Sequence, residues 1–162
     1  MKKITCTFIG IVFSLSSFSQ LTYITEQQVS YDILHWHYDR YNNSETSEWF
    51  KYSIDGDEYY GVKFSHEGTP YQSIYDSEGM IISEKRIMDE KELPDEITDV
   101  LDYRLVKYKV KEFVVETEFE NRQEKNKHYK VDARTKTGGQ VILWFDSQMN
   151  VVPERNNQLA IR

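Results

Sequence analysis

The stretch "YDSEGMIISE" at residues 75–84 returns in altered form as "FDSQMNVVPE" at 145–154. Both read aromatic, Asp, Ser, a polar residue, two variable positions, two branched aliphatics, and a Glu two places on. A pattern written twice some 70 positions apart marks one supersecondary unit used twice, and this constrains the fold more than any other feature. The repeat extends further. "EYYGVKF" (58–64) aligns with "KHYKVDA" (127–133) at an offset of 69, and one extra residue in the "RTKTGG" turn (134–139) explains the change of offset.

Short runs rich in Tyr, Phe, Val and Ile lie between turn signals such as "DGD" (55–57), "EGTP" (67–70), "SEG" (77–79) and "GG" (138–139). That is the grammar of antiparallel strands joined by hairpins. It predicts strands over 49–54, 58–65, 71–76 and 80–87, then over 111–120, 127–134, 140–146 and 150–154. Each set follows a helical pattern. Over 25–41, Thr25 and Gln28 read as a capping box, and Val29, Ile33, Leu34, Trp36, Tyr38 and Tyr41 form a wide apolar stripe. Over 93–108, Pro94 and the acids Asp95 and Glu96 open a second helix where the dipole favours them. The expected fold is α+β: two tandem helix-plus-four-stranded-meander repeats, forming an open antiparallel sheet with helices on one face. The expected organisation is a signal peptide over 1–19, a first repeat over 20–88, a linker over 89–92 and a second repeat over 93–162.

The signal peptide reads from "MKKITCTFIGIVFSLSSFSQ": two lysines, an apolar run too short to span a bilayer, then small residues. Cleavage after Ser19 leaves 143 residues, moves the formal net charge from −7 to −9 by removing two lysines, and removes the only cysteine. Disulfides and thiol chemistry are then excluded from the mature chain. A chain of this length buries roughly 68% of its unfolded surface, enough for a real core. Twelve Tyr, eight Phe and three Trp are too many aromatics for a disordered tail. The acidic balance argues against nucleic acid and against anionic membrane surfaces. The chain reads as periplasmic or extracellular.

Strand alternation sorts residues by face. One set is apolar in both copies and belongs under the helices: Phe50, Tyr52 and Ile54; Tyr60, Val62 and Phe64; Tyr71, Ser73 and Tyr75; Phe113, Val115 and Phe119; Tyr129, Val131 and Ala133; Val141, Leu143 and Phe145. The other face carries Lys51, Lys63, Glu112, Glu116, Lys130 and Asp132, with Trp49, Tyr59, Ile74, Ile142 and Trp144 among them. Aromatics on a wet face fit a contact surface for another protein, or cross-strand pairs that stabilise an open sheet. On the first reading Trp49, Tyr59, Ile74, Ile142 and Trp144 are anchors, with Lys51, Lys63 and Lys130 at the rim. Ala at Trp49 and Trp144 should then leave thermal stability nearly unchanged.

Catalytic signatures are missing. There is no glycine-rich phosphate loop, nucleophile elbow or metal-spaced cluster. His35 and His37 are two apart on a helix and read as surface histidines on different faces. "DGD" and "DSEG" lack the ligand spacing of a calcium loop and read as turns. The expectation is a protein without enzymatic activity or cofactor.

"ELPDEI" (92–97), "HYKVDA" (128–133), "ILWFDSQMNVV" (142–152), "YYGVKF" (59–64) and "SIYDSEGMII" (73–82) resemble the PepSY-like, beta-lactamase-inhibitor-like domains exported by Bacteroidota. The resemblance covers nearly all of the mature chain and implies an open sheet whose exposed face grips a target enzyme. It transfers no individual functional residue. The expected partner is a protein, with an envelope or secreted hydrolase the class implied. The competing expectation is a glycan, peptidoglycan fragment or other small ligand stacked on the same aromatics.

Overall fold

The computed structural model describes residues 21–153, so the signal-peptide reading of 1–19 and the end of the second repeat lie outside the described residues. The described residues form two α-helices, α1 (Tyr31–Arg40) and α2 (Asp95–Arg104). Both are shorter than the periodicity predicts, and local hydrogen bonding explains why. The Thr25 N–H donates to Gln28 Oε1 at 2.9 Å, so the capping box forms where expected. It closes a single 3₁₀ turn over Glu26–Gln28, after which Val29 is extended at φ −90°, ψ 141°. Ser30 then caps α1 afresh by accepting from the Ile33 N–H at 3.4 Å. The second half repeats the device. Residues 89–92, read as a linker, hold a 3₁₀ turn in which the Asp89 N–H donates to Glu92 Oε2 at 2.9 Å. The second helix stops at Arg104 rather than 108, because Leu105 is extended and Lys107 turns left-handed at φ 57°. Each capping box therefore ends one turn and lets a separate helix begin.

Nine strands form one sheet in strict sequence order, every neighbouring pair antiparallel: β1 (Thr22–Ile24), β2 (Glu45–Ile54), β3 (Asp57–His66), β4 (Thr69–Asp76), β5 (Ile81–Met88), β6 (Tyr108–Glu120), β7 (Gln123–Thr135), β8 (Gln140–Phe145) and β9 (Val151–Val152). The β1 strand was not anticipated, and the β6–β7 hairpin is longer than predicted. The repeated sequence has a local cause. Asp76 Oδ1 accepts from the Glu78 and Met80 N–H groups at 3.0 and 2.8 Å, and Asp146 Oδ1 accepts from Gln148 and Asn150 at 2.9 Å each. Both pieces write the same Asx turn between two strands. Its left-handed residue is Gly79 in one and Met149 in the other, at φ 82° and 63°. No calcium chemistry is needed to explain these aspartates.

The two helices cover one face. Val29, Ile33, His37 and Tyr41 are buried against Trp49, Val62, Phe64, Tyr75 and Ile81. Ile97 and Leu101 pack on Val110, Phe113, Val115, Val131 and Phe145. Phe119 joins the first cluster from the same side of β6 as Phe113 and Val115, so both helices lie on the same side. The face assignment from sequence holds for β3, β4, β6, β7 and β8 and fails for β2. Asp55 and Gly56, at φ 53° and 97°, make a two-residue turn that pairs Ile54 with Asp57. That register places Trp49 opposite Val62 and Phe50 opposite Gly61. If Val62 faces the helices, Trp49 must face them too. Phe50, Tyr52 and Ile54 therefore lie on the opposite face, where they pack with Ile74 and Tyr59.

The Phe50 ring fills the space Gly61 leaves open. A Cβ on Gly61 would lie 2.0 Å from two ring carbons, although the backbone there has no positive φ. Gly61→Ala should cost about 1–3 kcal/mol by overpacking, read from a urea midpoint. A smaller residue at position 50, in the double variant Phe50→Val/Gly61→Ala, should recover part of it. Equal stability of Gly61→Ala and wild type would contradict this packing.

His37 also departs from expectation. It is fully buried, not on the surface, whereas His35 is exposed and stacked on Tyr31. The His37 ring meets Phe64 and Trp49 edge-on at 4.7 and 5.3 Å, with Nδ1 3.1 Å from Tyr75 Oη and Nε2 3.4 Å from Ser44 Oγ. Burial lowers its pKa from 6.5 to about 4. Burial likewise pushes the Tyr41 and Tyr75 phenols up. Tyr41 donates to Glu84, which also pairs with Arg40 at 3.5 Å, tying α1 to β5.

Candidate functional site

No helix among the described residues covers the other face of the sheet. Its middle holds a groove of about 470 Å³ lined from β3 to β7 by Lys63, Gln72, Lys85, Ile87, Val114, Glu116 and Lys130. The strand registers bring them together. Lys63 pairs with Gln72, Gln72 with Lys85, Lys85 with Glu116, and Val114 with Lys130, all on one side of the pleat.

Charge across the groove is paired strand to strand. Lys63 meets Glu48 at 2.7 Å, Lys85 meets Glu116 at 3.1 Å, and Lys130 meets Glu112 at 3.4 Å. Hydrogen bonding to Glu48 raises the Lys63 pKa. Glu116 is buried, with Lys85 its cationic partner, so removing Lys85 would leave an uncompensated charge. Several buried polar atoms on this face have no hydrogen-bond partner among the described residues: Gln72 Nε2, both ring nitrogens of His128, Asp132 Oδ1, Trp144 Nε1 and Tyr52 Oη. Orphaned polar atoms are costly and uncommon in folded proteins. Burial, with the neighbouring Tyr59 a smaller cause, pushes the Tyr52 phenol up.

The residues singled out from sequence divide. Lys63 and Lys130 line the groove. Tyr59 is half-buried on the same face, and Ile142 is exposed there. Trp144 is on that face but only 7% exposed; the Lys130 ammonium lies 6.0 Å from its ring centroid and Val152 pairs beside it. Ile74 is on that face and buried beneath Phe50 and Tyr52, so it offers no protruding anchor. Trp49 and Lys51 are corrections. Both lie on the helix-covered side, Trp49 in the core and Lys51 opposite Tyr60, paired with Glu58 at 3.5 Å.

Sequence reasoning missed Gln72, Lys85, Ile87, Val114 and Glu48. The signal was there for β5: alternation through Ser83, Lys85 and Ile87 marks one face, but that strand was never sorted. Ile87 is the clearest omission, an apolar side chain left 44% exposed inside the groove. Among the described residues no three His, Cys, Asp or Glu side chains converge as a metal site.

The broad antiparallel sheet with helices on one side is a fold shared with solved structures from Bacteroides, one of them described as BLIP-like, in line with the resemblance. A BLIP-like protein from Bacteroides fragilis superposes with a TM-score of 0.59 at 15% identity, over 82% of this chain and 89% of that one. A DUF2874 family protein from Bacteroides uniformis gives 0.62 at 12% identity, over 82% and 93%. A candidate periplasmic protein from Bacteroides eggerthii gives 0.63 at 11% identity, over 81% and 94%. At these identities the likeness is one of fold. No family model matches the chain, and no curated protein matches it in sequence.

Proposed function

We propose that this chain is an exported, non-enzymatic binding protein that holds a protein partner, a hydrolase being the class favoured, against the bare face of its sheet. The N-terminal segment acts as the signal peptide, and two copies of one helix-and-meander unit build the sheet. The observation that carries the reading is the groove itself. It combines an exposed Ile87 with three cross-strand ion pairs. A partner whose apolar group covers Ile87 would take that side chain out of water while the flanking ion pairs stay at the rim. The fold shared with a BLIP-like protein supports a protein partner over a small ligand. Lys63, Lys130, Ile142 and Tyr59 keep their proposed contact role, Lys85 and Ile87 join them, and Trp49, Lys51 and the buried Ile74 and Trp144 leave it.

Ile87→Arg places charge at an already exposed position and should move the melting temperature by only about 2 °C or less. The same change should abolish capture of the partner from the envelope fraction of the source cells. Undiminished capture would remove the groove from the function. A tryptophan-fluorescence response to glycans or peptidoglycan fragments, with no protein captured, would favour the small-ligand reading instead.

A further inference from the structure

We propose a second contact surface, distinct from the groove: the end of the sheet where β6 begins and β7 ends docks the protein on an anionic phospholipid surface. Lys107, Lys109, Lys111, Arg134 and Lys136 line one shallow concavity of about 330 Å³ there. The backbone gathers them. Lys109 pairs directly with Arg134, the Lys136 N–H donates to the Lys107 carbonyl at 2.9 Å, and Lys111 sits at the bulge between Val110 and Glu112.

All five are exposed, and none forms an ion pair among the described residues. Elsewhere on the chain Lys51, Lys63, Lys85, Lys91, Lys125, Lys127 and Lys130 each have an acidic partner. Five uncompensated cations in a chain of net charge −7 are a segregated charge, and like charges directly opposite in a sheet destabilise it. The acidic total hides this patch. Net charge argues against anionic membranes; the distribution reverses that argument at one end.

The adjoining segment supplies a second observation. Tyr103 and Val106, which lead into Lys107, are 92% and 88% exposed. Exposed apolar side chains in the segment that leads into a cluster of cations suit a bilayer interface, where the apolar groups enter the headgroup region and the cations meet phosphates. Four of the five cations are lysines, point charges without a fixed fork. That suits a fluid array of lipid phosphates better than the set geometry of a protein carboxylate cluster. Among the described residues no helix is long and apolar enough to cross a membrane, so the contact would be peripheral.

The test is flotation of the mature chain with vesicles of phosphatidylcholine alone and with about one-third phosphatidylglycerol. The protein should float with the anionic vesicles only, and raised salt should release it. Lys107→Gln/Lys109→Gln/Lys136→Gln should weaken binding at least ~10-fold without lowering the melting temperature, because it relieves repulsion. Tyr103→Ser/Val106→Ser should weaken binding while leaving the salt dependence in place. Ile87→Arg, which tests the groove, should float like wild type. No flotation, equal flotation on both vesicles, or a triple variant that binds as well as wild type would overturn the proposal. So would displacement by millimolar inorganic phosphate at constant ionic strength, which would mark a free-phosphate site, or capture of an acidic protein by the same lysines in place of vesicles.

Discussion

Trp49→Ala should lower the unfolding free energy by about 3–5 kcal/mol, the range for deleting a large buried aromatic. For a domain of this length that is a drop of roughly 10–20 °C in melting temperature. The side chain is 3% exposed and packs among His37, Val62 and Phe64 beneath α1. Its indole N–H has no hydrogen-bond partner, so Trp49→Phe sacrifices little bonding and should cost no more than about 1.5 kcal/mol. Ile142→Ala, at a position 41% exposed, is the control and should change stability by less than about 0.5 kcal/mol. Calorimetry or a urea series decides it. Melting of Trp49→Ala within about 2 °C of wild type would mean that β2 presents its other side to the helices.

The second large effect is acid lability centred on His37. The folded protein holds this imidazole neutral, with a pKa of about 4, while the unfolded chain binds a proton near 6.5. A folded pKa lowered for a basic group makes protonation favour the unfolded state. Stability from this residue is therefore constant above pH 6.5 and falls as the pH drops towards 4, by about 3 kcal/mol in all. Asp146 acts in the same direction but only at lower pH: the Asn150 N–H, chief among its donors, holds its carboxyl below the usual 3.8, so that contribution is kept down to about pH 4 and lost below it. Urea midpoints at several pH values between 7 and 4 should show the fall in wild type and a much flatter profile in His37→Gln. Parallel profiles would assign the acid sensitivity to other groups.

How much of this was legible depended on the range over which each feature is determined. The Asx turns at Asp76 and Asp146 were visible because every hydrogen bond in them joins residues at most four positions apart. The Thr25–Gln28 capping box was visible for the same reason, but not that Ser30 would restart the helix. Faces were correctly sorted wherever one parity of a strand is clearly apolar, as in Tyr129, Val131 and Ala133. The β2 strand offers aromatics in both parities, so alternation alone does not choose its side. The Asp55–Gly56 turn carried the missing information, since a two-residue hairpin fixes which residues face each other. His37 was misjudged because a histidine beside aromatic residues can lie in or out of a core, and only the packing of α1 on β2, β3 and β4 decides.

The candidate site was less legible than the fold. Lys63 and Lys130 were picked from their strand parity, and Lys85 and Ile87 were passed over. The basic end of the sheet was invisible in a net charge, because Lys107–Lys111 and Arg134–Lys136 are separated by more than twenty residues and become neighbours only through the β6–β7 pairing.

By itself the sequence determined the punctuation of the chain: where hairpins turn, where the Thr25 capping box forms, and which residues alternate along each strand, all set by interactions a few residues long. The tertiary structure alone decided that His37 lies inside the core, which acids neutralise which lysines, and which cations are gathered at one end of the sheet. Those outcomes depend on helix packing and on the register between neighbouring strands, and a shift of one residue in that register exchanges the two faces of a strand.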